Sequence, residues 1–167
     1  MSDCVTLPDG RQAQLWQGGA AAGATIFFMH GCPDCRLAAR TGEAAARRTG
    51  VRLVAVNQPG YGRSDSHESG QVSVADDTLA VADVLGIEQF AVLGMSVGGI
   101  YAVACAALHP DRVTAMGWLP HRGSSPRWTL RRIVTISHPN GSTLSRSCPA
   151  DCQPRWASSF DRRSQHT

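Results

Sequence analysis

Phe90-Ala91-Val92-Leu93-Gly94-Met95-Ser96-Val97-Gly98-Gly99 decides how this chain folds. A short apolar run leads into Gly-x-Ser-x-Gly. An alanine-rich run, Ile100 to Leu108, follows at once. The pattern reads as strand, sharp turn, helix, and such a turn holds its serine in a cramped backbone geometry with the hydroxyl pushed outward. Gly94 and Gly98 lack a Cβ, so strand and helix can approach closely on either side of Ser96. The next amide, Val97 N–H, stands at the start of a helix, where it can donate to an oxygen that becomes negative.

Upstream, Val5-Thr6-Leu7 and Gln12 to Trp16 flank Pro8-Asp9-Gly10, which is turn chemistry, so an N-terminal β-hairpin is expected. Thr25 to Met29 is a continuous apolar run suited to a strand covered on both faces, and Val51 to Val56 reads as a second buried strand. Between them a helix is expected from Arg36 to Thr49, with Gly50 as its stop. Ser73 with Asp76 reads as an N-cap signature. Val74, Thr78, Val81 and Leu85 then recur at helical spacing, and Gly86 ends the run. His109-Pro110-Asp111-Arg112 breaks the helix after the elbow, and Val113 to Leu119 reads as one more strand. Strands alternating with helices predict an α/β fold with a doubly wound, mostly parallel sheet.

The chain has 167 residues, enough for one domain with a substantial core. Its formal charge of +3 is unevenly spread. Up to Gly117, eight Arg stand against eleven Asp and Glu. From Trp118 onward, eight Arg stand against two Asp. That last stretch holds nine Ser, five Pro and six Ile, Leu, Val or Met, with one short apolar alternation at Ile133-Val134-Thr135-Ile136. It has too little apolar surface to offset its ordering entropy. The expected organisation is a core over 1–119 and an irregular Arg/Ser/Pro-rich tail over 120–167. Met1 to Val5 has no basic or apolar leader character and no run approaches a membrane span, so a cytoplasmic protein with reduced thiols is expected.

Three motifs, in order, give the chain a family likeness. They are His30-Gly31-Cys32-Pro33, then Gln58-Pro59-Gly60-Tyr61-Gly62-Arg63-Ser64-Asp65, then Gly94-Met95-Ser96-Val97-Gly98-Gly99. With them, Thr25 to about Val113 resembles the N-terminal part of the α/β-hydrolase fold, in the bacterial form with a His-Gly-x-Pro oxyanion loop. The resemblance implies hydrolysis of a small-molecule ester, amide or similar bond, without cofactor or metal. Ser96 is then the nucleophile, and the backbone amides of Cys32 and Val97 form the oxyanion hole. His30 is a structural hydrogen-bonder, and Arg63 and Asp65 anchor their loop. Asn57-Gln58 stands where the family often has Asp-Arg, and Asp34-Cys35 where Gly-Ser is common.

The family order is Ser, then Asp or Glu, then His, the last two following late strands. No such strands are recognisable here. Asp151 or Asp161 with His166, and also His121 and His138, are the tail's candidates, while His109 reads as a helix-end residue. A serine without a base is a poor nucleophile. The expectation is therefore a catalytically incomplete hydrolase or a noncatalytic remnant, destabilised by an uncovered sheet edge and face. The shift in composition after Gly117 fits a change of reading frame. Two rivals stay open. Cys32-Pro33-Asp34-Cys35, after a strand and before a helix, suits a thiol-redox site. Cys148 and Cys152 with His138 or His166 could ligate zinc, though at irregular spacing. The basic tail lacks the aromatic interleaving of a nucleic-acid site.

Overall fold

The computed structural model describes residues 3–119 and 133–134. Strands β1 (Cys4–Thr6) and β2 (Gln12–Gly19) form the N-terminal hairpin around Pro8-Asp9-Gly10. Then come β3 (Ala24–Met29), a 3-10 helical segment (Arg36–Gly42), α1 (Glu43–Thr49), β4 (Val51–Val56), α2 (Gln71–Val84), β5 (Phe90–Met95), α3 (Gly98–Leu108) and β6 (Val113–Leu119). A two-residue strand, β7 (Ile133–Val134), completes the described elements.

These strands make one sheet in the order β1-β2-β4-β3-β5-β6-β7. The centre is parallel: β3 pairs with β4 and β5, and β5 with β6. The outer pairs, β1–β2, β2–β4 and β6–β7, are antiparallel. Alternation along β3 sends successive side chains to opposite faces. Phe27 joins Val54, Val92 and the inner sides of α2 and α3 (Ala75, Val81, Ala102, Cys105) in the larger core. Phe28 joins Ala55 and Ala39 on the other face, beneath the 3-10 segment. The connection after β3 thus leaves toward one face and that after β5 toward the other. In open α/β sheets the crevice where neighbouring strands part in this way is the usual ligand site. Here it lies between the C-terminal ends of β3 and β5.

Two local expectations need correction. The helix over 36–49 is two pieces, a 3-10 segment and α1. No side chain caps its start at Cys35, and Thr41 Oγ1 donates to the Ala38 carbonyl at 2.8 Å, which favours the tighter i→i+3 turn. Helix α2 begins at Gln71, before Ser73. Ser73 sits inside the first turn and its Oγ accepts the Gly70 N–H at 2.9 Å, so the cap is a reach-back from within the helix and Asp76 plays no part. Ile133 and Val134, from the short apolar alternation, pair with Gly117 and Met116 at the edge of β6. The tail candidates His121, His138, Asp151, Asp161, His166, Cys148 and Cys152 lie outside the described residues.

Candidate active site

Ser96 has φ +52, the sole positive φ among the described residues other than glycine. L-residues rarely adopt this left-handed conformation, and where it persists the surroundings impose it. Three glycines let those surroundings close in. A Cβ on Gly94 would lie 2.5 Å from the Gly98 carbonyl and the Gly99 backbone, and one on Gly98 would overlap the Met29 carbonyl. A Cβ on Gly31 would lie 3.1 Å from Ser96 Cβ, so the loop after β3 runs directly alongside the serine. The two motifs thus meet in the β3–β5 crevice. Val97 is the N-cap residue of α3, and the Gly99 N–H turns back to the Ser96 carbonyl at 3.0 Å.

The loop that carries Cys32 is fixed through His30, which is fully buried. Its Nε2 accepts the Gln58 N–H at 3.3 Å, which puts the ring proton on Nδ1, 2.9 Å from the Gly31 carbonyl. Burial lowers the pKa of this imidazole and so favours its neutral form. The Asp34 N–H closes the next turn on the Gly31 carbonyl at 3.0 Å, with a cis peptide between Cys32 and Pro33. The Cys32 side chain points outward, where Tyr61 Oη donates to its sulfur at 3.7 Å. Neither Cys32 nor Cys35 is in a disulfide.

Asn57 and Gln58, the departures from the family pattern, have definite work. Buried Asn57 accepts the Arg36 N–H at 2.8 Å and donates to Gln14 Oε1 at 3.0 Å. Asp65 Oδ2 accepts the Gln12 N–H at 2.7 Å, a loop anchor as expected. Arg63 pairs with Asp3. A cavity of about 40 Å³ near this loop, lined by Arg11, Asn57, Asp65, Asp77 and Thr78, does not include Ser96 or Cys32 and is too small for a substrate.

No described histidine approaches the serine hydroxyl by hydrogen bond. His67 faces Asp77 at 3.9 Å. His109 Nε2 lies 3.1 Å from Asp76 at the far end of α3, about 16 Å along the helix from the elbow. Among the described residues no cluster of His, Cys, Asp or Glu could hold a metal, and no helix is long and apolar enough to cross a membrane.

The sequence places Trp118 and Leu119 in β6 but gives them no part in the site. Trp118 Nε1 donates to the Ser96 carbonyl at 2.9 Å, and the Leu119 carbonyl accepts the Ser96 N–H at 2.8 Å. The strand itself was legible, but nothing in its composition marks which residue reaches sideways to the elbow.

Residues 24–117 match the family model for the alpha/beta hydrolase fold. The chain belongs to the α/β-hydrolase fold family. It is 34% identical over 94 residues to epoxide hydrolase B of Mycobacterium tuberculosis, an alignment spanning 54% of this chain and 26% of the relative. It is 33% identical over 95 residues to 2-hydroxymuconate semialdehyde hydrolase of Pseudomonas putida, spanning 54% and 34%. Among solved structures, epoxide hydrolase A from Mycobacterium thermoresistibile superposes with a TM-score of 0.64 at 25% identity, over 74% of this chain and 40% of that one. A predicted CIB-like hydrolase from Thermoplasma acidophilum superposes with a TM-score of 0.65 at 18% identity, a likeness of fold. The α/β-hydrolase chain described here therefore spans between a quarter and two thirds of the length of these relatives.

Proposed function

We propose that residues 1–119 carry the nucleophile half of a serine hydrolase acting on a small-molecule ester or amide-type bond. Ser96 is the nucleophile, and the backbone N–H groups of Cys32 and Val97 receive the developing oxyanion. One observation carries this reading: a serine at φ +52 on a strand-to-helix turn, with the His30-Gly31-Cys32 loop against it. Each oxyanion donor is worth about 10²–10³ in rate in enzymes that use one.

Several relatives are named epoxide hydrolases, but the serine argues for a carbonyl substrate. A hydroxyl that opens an oxirane forms an ether, which water does not cleave under these conditions. A hydroxyl that attacks an ester or amide forms an acyl-enzyme, which water releases. The second named activity, a semialdehyde hydrolase, belongs to a relative with a carbonyl-bearing substrate in its name.

A second reading has its own support. His30, His67 and His109 are each engaged elsewhere, so no described histidine is placed to serve Ser96 as base. On that reading the chain is a noncatalytic remnant. A fluorophosphonate probe with a p-nitrophenyl ester assay, on wild type and Ser96→Ala, separates the two. Labelling and turnover lost in Ser96→Ala support the hydrolase; equal labelling of both proteins, or none of either, supports the remnant.

A further inference from the structure

The geometry points to Trp118 as a positioning residue that aims the Val97 N–H through the Ser96 carbonyl, an assignment that rests on the serine-hydrolase reading above. The Ser96 C=O and the Val97 N–H belong to one planar peptide unit and point to opposite sides of it. Whatever fixes the oxygen fixes the direction of the hydrogen. Two donors fix it: Gly99 N–H at 3.0 Å, from the backbone of α3, and Trp118 Nε1–H at 2.9 Å, from a side chain of β6. A carbonyl oxygen has two lone pairs, so both bonds are held together.

The rest of the contact fits the same role. The indole occupies the space where a Cβ on Gly99 would stand, so the elbow helix has been pared back to admit the ring. In the sheet Trp118 lies opposite Gly94 and Leu119 opposite Met95, which brings the end of β6 level with the elbow. Leu119 then takes the Ser96 N–H, so the left-handed residue is gripped on both backbone sides by consecutive residues of one strand. Trp118 is 48% exposed and therefore contributes little as a core residue. It also lies one position beyond the segment that matches the family model. Without the indole N–H, one of the two restraints on the peptide is lost, and the Val97 N–H swings through a wider range while the serine hydroxyl stays in place.

Trp118→Phe keeps a ring in the Gly99 hollow and removes the donor; benzothienylalanine at 118 keeps the indole shape and replaces N–H by sulfur. Both are compared with wild type in three measurements: fluorophosphonate labelling rate, kcat and KM on a p-nitrophenyl ester, and amide hydrogen exchange at Val97 and Gly99. The expected result is labelling and kcat lowered about tenfold, part of the effect of losing an oxyanion donor outright, with KM within twofold and faster exchange at both amides. Reactivity equal to wild type in both variants overturns the assignment, even if exchange quickens, because the contact is then structural only. If the wild type itself does not label, the serine-hydrolase reading fails. Trp118 then has no reaction to position, and the assignment falls with it; exchange alone reports whether the indole holds the peptide.

Discussion

Gln58 grips His30 at two points. Its backbone N–H donates to His30 Nε2 at 3.3 Å and its side-chain Nε2 donates to the His30 carbonyl at 3.0 Å. The loop after β4 is thereby tied to the first residue of the loop after β3. Gln58→Ala removes the side-chain bond and leaves the backbone one. The expected cost is about 1 kcal/mol, the usual net worth of one such bond. His30→Ala removes the acceptor and opens a hole in a fully buried site, with an expected cost of about 2–4 kcal/mol. Urea unfolding of both variants checks the ranking; equal costs would mean that the imidazole does not hold this loop.

His30 also predicts how stability depends on pH. Burial lowers its folded pKa below the ordinary value of 6.5. The unfolded chain therefore binds a proton at this position before the folded chain does. Above about pH 6.5 the contribution is fully present. As pH falls below that value stability drops, and the loss continues until the folded pKa is reached. Unfolding midpoints between pH 8 and 5 should fall more steeply in wild type than in His30→Gln, which has no ring to titrate. Parallel slopes would show that the imidazole is not protected from protonation in the folded state.

Two glycines should respond in opposite senses. A Cβ on Gly98 would run into the Met29 carbonyl and lie 2.8 Å from that of His30, both backbone groups with no freedom to move aside. Gly98→Ala should destabilise by about 3 kcal/mol or more, within the range of overpacking and backbone clashes. Gly42 has φ −91 and ψ −6, and its nearest neighbour would be Leu53 Cδ1 at an ordinary 3.5 Å. Gly42→Ala should stabilise by about 0.4–1 kcal/mol by restricting the unfolded chain. Thermal melts of the two variants decide it, and a tolerated Gly98→Ala would mean that β3 and α3 pack less closely at the elbow.

The strands were legible because each carries its own signal. Ile26–Met29 and Leu53–Val56 are unbroken apolar runs, as strands covered on both faces must be, and the strands that hold them, Ala24–Met29 and Val51–Val56, match the expected bounds to within a residue. The elbow was legible because Gly94, Ser96 and Gly98 encode a backbone geometry as well as a residue pattern. Helix starts were less legible. Ser73 caps α2 from inside the helix, where the local sequence looks the same as an outside cap. The 3-10 segment over Arg36–Gly42 was hidden because its residues are as helix-compatible as those of α1. Contacts across the sheet left no local trace at all. Trp118 meets Ser96 and Asn57 meets Gln14 only because the strand order brings them together, and that order is a property of the whole fold.

The side chain of Cys32 separates two chemistries at one position. If its backbone N–H is the oxyanion donor, the thiol is incidental: it points outward and takes only the weak Tyr61 hydroxyl contact at 3.7 Å. Cys32→Ser should then label with fluorophosphonate and turn over p-nitrophenyl esters within about twofold of wild type, because the donor count of the hole is unchanged. If the Cys32-Pro33-Asp34-Cys35 turn is instead a thiol-redox site, both unbridged cysteines are needed. Wild type should then reduce insulin when coupled to a disulfide reductase, and Cys32→Ser should abolish that turnover. The serine-hydrolase reading expects no insulin reduction from either protein. Insulin turnover that disappears in Cys32→Ser, with Ser96→Ala behaving as wild type, would transfer the chemistry of this crevice from the hydroxyl to the thiols.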